Sequence, residues 1–348
     1  MTENNTPLEM RATLQDISLN TMQPQEMVEP QDIISITNLT KKEARGGYIC
    51  VGLGKETEIF NPNKRTAEEE AIISQNGTVT RYAKAESDSD KRDIEANIVI
   101  SENYSEFAEL EEAGYGDIVK KLSRFDERVY QVLDSFYMEG YRIVPISAIY
   151  TRLGGHGNPS AEDKAKIVAS IRKMKTLIIS YSNKEEREKL GYNYPPLEIT
   201  DEHLITCRLV KITDFYGQET QAVQFAGFEL PLMKISRSRR QLTTIASDVF
   251  ALPFNESDMN TAIYSYIIKR QAQIKNSIES YKRSGKKGRK RKPTTRILYN
   301  TVFEEAGITE RWQKSRAKQI IHKSLDNLVV KKEIASYTKQ NDGVTLKF

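Results

Sequence analysis

"RFDERVYQVLDSFYMEGYRIVPISAIYTRLGGHGNPSAEDKAKIVASIRKMK", residues 124–175, decides how the rest of the chain reads. Phe125, Val129, Val132, Leu133 and Phe136 recur at the i, i+4, i+7, i+8, i+11 spacing of an amphipathic helix, which Gly140 stops. "YRIVP" is a short strand, and "ISAIYTRL" is a second, brief helix ended by the "GGHGNP" turn. Ser160 then opens a third helix as its N-cap, with Asp163 three residues on in a variant of the capping box. The β-prone stretches "TLIISYS", "HLITCRLVKI" and "AVQFAGFEL" follow.

A similar order returns near the end of the chain. After "PLMKISRSRRQLTTIASDVFALPFN" comes a long helical stretch in which Ile263, Ile267, Ile274 and Ile278 keep one apolar face. Past Pro293, "TTRILYNTVFEEAGI" predicts one amphipathic helix with Ile297, Leu298, Val302 and Phe303 facing inward. "TERWQKSRAKQIIHKSLDNLVV" predicts another, with Trp312, a residue able to stack on bases, expected instead to pack against it, and "EIASYTKQNDGVTLKF" is a hairpin turning at "QNDG". Ile167, Ile171 and Met174 share their spacing with Ile321, Leu325 and Leu328, beside "KAK" and "RAK" respectively. Helix, strand, helix, turn, helix and strands is the order of a helix-turn-helix with a β-hairpin. The expected fold class is therefore α+β, mainly helical, with two winged-helix domains in tandem behind a largely irregular acidic N-terminal region.

The expected boundaries follow composition. Residues 1–30, rich in Gln, Asn, Thr and Met, read as disordered, 31–123 as an acidic, partly disordered region, and continuous order as beginning near 124. The first winged-helix domain takes 124–281, including the inserted "NKEEREKLGYNYPP" and a C-terminal helix; 282–293 is a basic linker and 294–348 the second domain. The net charge of +4 hides a split: residues 1–123 hold 23 acidic and 13 basic side chains, a net −10, which leaves +14 on the remainder. An acidic leader before a basic body points to nucleic acid ahead of an anionic membrane surface.

Other functions are disfavoured by what the 348 residues lack. The mean hydropathy is −0.57 and no run of about 18 apolar residues exists, so no membrane partner is expected. The first residues have neither the basic nor the apolar region of a secretory signal, and Cys50 and Cys207 stand far apart outside any CxxC context. Both thiols read as reduced, in a cytoplasmic protein. "VGLGKET" resembles a phosphate-binding loop, but Ile49 stands where the first Gly belongs and Glu56 follows Lys55, so a strand and turn is the reading. His156, His203 and His322 are scattered; no metal-ligand, nucleophile or paired-carboxylate pattern stands out, and no catalytic residue, metal or cofactor is expected.

The basic helices carry the function class. Rotation from Ile167 at 100° per residue turns Ala165, Lys166, Ala169, Arg172 and Lys173 outward, and rotation from Ile321 does the same for Arg316, Gln319, Lys323, Asp326 and Asn327, with Lys314 nearby. Arg, Gln and Asn pair bidentately with guanine or adenine, and Lys meets phosphates, so these faces suit double-stranded DNA. The run "KRSGKKGRKRKPTTR" (282–296) has nine Lys or Arg and no acidic residue. As an interdomain tether its Lys286, Lys287, Arg289, Lys290, Arg291 and Lys292 would neutralise phosphates between two footprints, and Arg237, Arg239 and Arg240 of "RSRR" would add a second cluster.

The first unit, the basic linker, the second unit "TTRILYNTVFEEAGITERWQKSRAKQIIHKSLDNLV" and its hairpin together resemble the tandem winged-helix plasmid replication initiator proteins over roughly 124–348. The resemblance implies a protein of a bacterial mobile element that binds repeated origin sequences, with the C-terminal unit doing most of the base reading. It also implies host replication proteins as partners and a homodimer that gives way to an initiating monomer. A winged-helix transcriptional regulator and a non-enzymatic scaffold with a polyanion-binding linker are the alternatives. The long acidic leader and the "NKEEREKLGYNYPP" insertion depart from the family pattern.

Overall fold

The computed structural model describes residues 47–61, 63, 78–87, 90–102, 122–184, 187–188, 196–213, 219–227, 229–283 and 292–348, and every structural statement below concerns these. It is an α+β protein. The N-terminal elements are β1 (Tyr48–Gly52), a 3-10 helix (Lys55–Phe60), β2 (Thr78–Ser87) and β3 (Asp90–Glu102). Next come α1 (Arg124–Met138), β4 (Ile143–Pro145), α2 (Ile146–Arg152), α3 (Ala161–Lys175), β5 (Leu177–Ser182), β6 (Glu198–His203), β7 (Cys207–Thr213) and β8 (Glu219–Phe225). The remainder is α4 (Pro231–Ser238), β9 (Leu242–Ala246), α5 (Ser247–Phe250), α6 (Asp258–Arg283), β10 (Arg296–Leu298), α7 (Tyr299–Glu305), α8 (Arg311–Val330), β11 (Ser336–Lys339) and β12 (Gly343–Lys347).

Local chemistry sets the opening stretch. Ser123 and Asp126 form a reciprocal capping box at the start of α1, and Ser160 and Asp163 form another at α3, so each pair satisfies two otherwise orphaned N–H groups. β4 runs into α2 without a side-chain cap, and β10 runs into α7 the same way. The turns after α2 and α7 are made by Gly154 (φ +102°) and Gly307 (φ +63°), in the left-handed region that glycine enters without penalty.

One topological plan occurs twice. The first unit is α1, β4, α2, α3, then the hairpin β7–β8; the second is α6, β10, α7, α8, then the hairpin β11–β12. Their antiparallel sheets have the same order, β4-β8-β7 and β10-β12-β11. In both, the short strand meets the last one over three residue pairs: Ile143, Val144 and Pro145 with Gln224, Val223 and Ala222, and Arg296, Ile297 and Leu298 with Thr345, Val344 and Gly343. The first unit differs by an insertion between α3 and β7: the hairpin β5–β6, which joins the β2–β3 hairpin in a four-stranded sheet of order β2-β3-β5-β6.

Three expectations are corrected. "TTRILYN" is not the start of a helix: Arg296–Leu298 is strand β10, with Ile297 buried and Leu298 41% exposed, because the hairpin strand β12 pairs with it. Next, order begins well before residue 124. β1 pairs with β9, and β1 and the 3-10 helix pack on α1. Together with α2, α3 and α6 they leave α1 no solvent face, so that every residue from Arg124 to Phe136 is buried. Finally, α6 packs on α7 and α8 as well as on α1, and takes the place in the second unit that α1 holds in the first. The basic run 284–291 therefore connects two elements of the second unit and is not a tether between units.

A continuous apolar core passes through both units, from Ile49 and Phe125 to Ile321 and Leu346. Buried charges cross the seam between them. The Arg124 guanidinium donates to Glu127 at 2.5 Å and to Glu305 at 3.3 Å; Lys269 pairs with Glu127 and donates to Thr57 Oγ1 at 2.8 Å; Asn61 donates to Glu305 at 2.8 Å. Burial pushes the Glu127 carboxyl up, but Lys269 and Arg124 outweigh it and hold the group below its ordinary value. The 3-10 helix, α1, α6 and α7 are thus joined by one charge network.

Candidate nucleic-acid interface

The third helix of each unit was expected to carry DNA contacts, and the two helices treat their cations differently. On α3, Lys166 lies over the Phe125 ring, 4.6 Å from its centroid, and over Phe254 at 5.4 Å. Lys173, half-buried, donates at 2.6 Å to Asp126, whose carboxylate has no exposed surface. Only Arg172 among the three predicted contacts is exposed with none of these ties. Lys173 is thereby corrected from a DNA contact to a bond between α3 and α1.

On α8 the predicted side chains stand open. Arg316, Gln319 and Lys323 are exposed and Lys314 is half-buried, and among the described residues none of these four side chains makes a hydrogen bond or an ion pair. The inner face is fixed by Ala317, Ile321, Ser324, Leu325 and Leu328, all buried. The flanks are fixed too. Lys318 lies 4.9 Å over the Tyr299 ring, Tyr299 Oη is 2.9 Å from His322 Nε2, and His322 stacks on Tyr337 of β11 at 6.1 Å. Partial burial, with Lys339 and Lys318 nearby, lowers the His322 pKa, so the neutral ring is favoured between its two tyrosines.

The far end of the stripe is not basic. Asp326 is exposed and accepts from Tyr337 Oη at 2.8 Å, and burial with this neighbouring carboxylate pushes the Tyr337 hydroxyl up to about 12. Asn327, expected outward, is instead half-buried and donates to Tyr264 Oη of α6 at 3.2 Å. The cationic face of α8 is therefore its N-terminal three turns.

The "RSRR" cluster does not hold together as a phosphate site. Arg237 pairs with Glu229, Arg239 is buried at 6% exposure, and Arg240 alone of the three is exposed, at φ +56° just past α4. Lys286, Lys287, Arg289, Lys290 and Arg291 lie outside the described residues, while Lys292, at their edge, is exposed. Among the described residues no group of three or more His, Cys, Asp or Glu could hold a metal ion, and no helix is long and apolar enough to cross a membrane.

Sequence reasoning placed Trp312 wrongly. It was expected to pack on its own helix; it is 65% exposed, and among the described residues its ring touches no other aromatic ring and its N–H has no acceptor. The signal was present in the spacing, since Trp312 precedes Arg316, Gln319 and Lys323 at i+4, i+7 and i+11.

No family model matches this chain, and no curated protein does. Among solved structures, the chain is similar to domains 2 and 3 of RctB, seen in a crystal structure of selenomethionine derivatives. The match has 11% sequence identity, covers 84% of this chain and 98% of that one, and has a TM-score of 0.35, at which it carries no argument about fold or function.

Proposed function

We propose that this chain is a non-enzymatic, sequence-specific double-stranded DNA-binding protein built from two winged-helix modules, and that it initiates replication of a plasmid or related element. The observation that carries the reading is the outward face of α8: Arg316, Gln319 and Lys323 are exposed and unpaired on a helix whose other sides are fixed by α6, α7 and β11. Such a helix, rigidly backed and followed by a hairpin, meets the geometric need of major-groove reading, in which two or three polar side chains must reach base edges from a fixed backbone. The repeated strand order, with the short first strand beside the last strand of the hairpin, supports the winged-helix assignment of both units. Replication rests on the resemblance to plasmid initiators. Host replication proteins and a homodimer are proposed on that basis too, in a cytoplasmic setting.

The exposed Arg172 and Arg240 and the run from Lys286 to Lys292 would add sequence-independent affinity through phosphates. The test is selection of bound fragments from a random duplex pool, followed by a salt titration. A specific duplex that keeps an advantage of about 10³ or more over random DNA as salt rises supports the proposal. Equal binding of all sequences at every salt concentration refutes base reading and leaves the scaffold alternative. Recovered fragments that are direct repeats beside an AT-rich tract favour initiation over transcriptional regulation.

A further inference from the structure

Trp312 is the single tryptophan of the chain and stands in the first turn of α8. With 100° per residue, Trp312, Arg316, Gln319 and Lys323 fall within about 60° of one another around the helix, and they span about 16 Å along it. One line of side chains thus offers an aromatic surface, a guanidinium fork, an amide and an ammonium, all turned to solvent.

Several ligands could meet an exposed indole, and the surroundings choose among them. Single-stranded nucleic acid is held by successive aromatic rings along a channel. Here the nearby rings of Tyr299 and Tyr337 are engaged with His322, which leaves Trp312 alone in its row. A phosphate offers the ring no apolar partner. On the floor of the major groove the one apolar group is the thymine C5-methyl, beside the acceptors and donors that suit Arg and Gln.

We propose that Trp312 packs its indole against the methyl group of a thymine at one end of the bound site, next to the base pairs met by Arg316 and Gln319, and so sets sequence preference there. This rests on the duplex-reading role of α8 proposed above. Burying a ring that is now 65% exposed would add affinity through apolar contact, and the contact would be lost with the methyl group alone.

The experiment uses the full chain and a duplex selected from the random pool, with affinity read from a dye on the DNA. Each thymine is replaced singly by deoxyuridine, which removes the methyl and leaves the pairing edge. For the native protein, one position is expected to lose affinity by roughly tenfold. Trp312→Ala should bind the original duplex about that much more weakly and show no further loss at that position, while Trp312→Phe should retain part of the sensitivity. Tryptophan emission, which reports this residue alone, should change with the selected duplex. If native protein and Trp312→Ala respond alike to every deoxyuridine substitution, the Trp312 assignment is overturned and α8 remains a reading helix. If no duplex is selected, or Arg316→Ala weakens selected and random DNA equally, the reading role of α8 fails and this inference fails with it. Since Trp312 is exposed, the variants should keep the native circular dichroism and melting temperature.

Discussion

Counted from their first residues, α3 and α8 can be compared position by position. Positions two, six, nine and thirteen are Glu162, Lys166, Ala169 and Lys173 in α3, and Trp312, Arg316, Gln319 and Lys323 in α8. Both helices bury an apolar face against their own unit, and both were expected to face DNA. In α3 the lysines at positions six and thirteen are held by α1, one by the Phe125 ring and one by Asp126. In α8 the corresponding side chains are held by nothing among the described residues. A basic helix face is thus not one kind of surface. When a deeply buried carboxylate lies within reach, as Asp126 does, a cation becomes part of the interior's charge balance and is lost to a ligand.

The strongest way to break this comparison is at the scaffold on which both helices rest. Glu127→Ala would leave Arg124 and Lys269 buried without their shared carboxylate, and should lower stability by about 3–5 kcal/mol. Because those cations join α1 to α6, denaturation followed by circular dichroism should remain a single transition at lower denaturant. Two separated transitions would show that the units do not share a core.

The burial of α1 from Arg124 to Phe136 has a second consequence, at Asp134. Among the described residues its carboxylate oxygens are buried without hydrogen-bond partners, and burial raises its pKa to about 7, with Arg237 opposing. The folded protein therefore holds this proton longer than the unfolded chain does. Its contribution to stability is greatest below about pH 4, declines as pH rises to about 7, and is level above that. Asp134→Asn should remove that decline and be more stable than the native chain by roughly 3–4 kcal/mol at pH 8, with little difference at pH 4. Parallel melting curves at both pH values check it.

Smaller changes sharpen the contrast between the two helices. Lys173→Met should cost about 1–3 kcal/mol of stability by removing the cation from the buried Asp126 carboxylate, which keeps only its Ser123 hydrogen bonds, and at a temperature where it is folded it should bind DNA as the native chain does. Arg316→Ala and Gln319→Ala should do the reverse: each leaves the melting temperature unchanged and costs about 1–3 kcal/mol on the selected duplex, with relaxed specificity. Lys166→Ala should have the smallest effect, about 0.5–1 kcal/mol of stability from the lost contact with Phe125 and Phe254.

What the sequence made legible was local. The capping box at Ser160, the strand "IVP" and the hairpin at "QNDG" all depend on residues within a few positions of one another, and they form where they were read. The readings that failed depend on distant partners. Nothing near "YICVG" announces that it pairs with "LTTIA" or covers α1, and nothing in the periodicity of α6 tells which unit it serves. The candidate site shows the same division. The exposure of Arg316 and Gln319 followed from helical geometry, but the capture of Lys173 by Asp126 spans 47 residues and the burial of Arg239 is tertiary.

The position of α6 also changes how the protein should be dissected. The lysine- and arginine-rich run looks like the natural place to divide the gene product, yet a cut there would separate β10–β12 from the helix that closes their core, leaving Ile263 and Ile267 on one fragment and Ile321 and Leu325 on the other. Such halves would be sticky and poorly folded when expressed apart, and when mixed they should reassociate as complementing fragments. A self-sufficient C-terminal piece has to start ahead of Asp258 and carry the whole basic run within it.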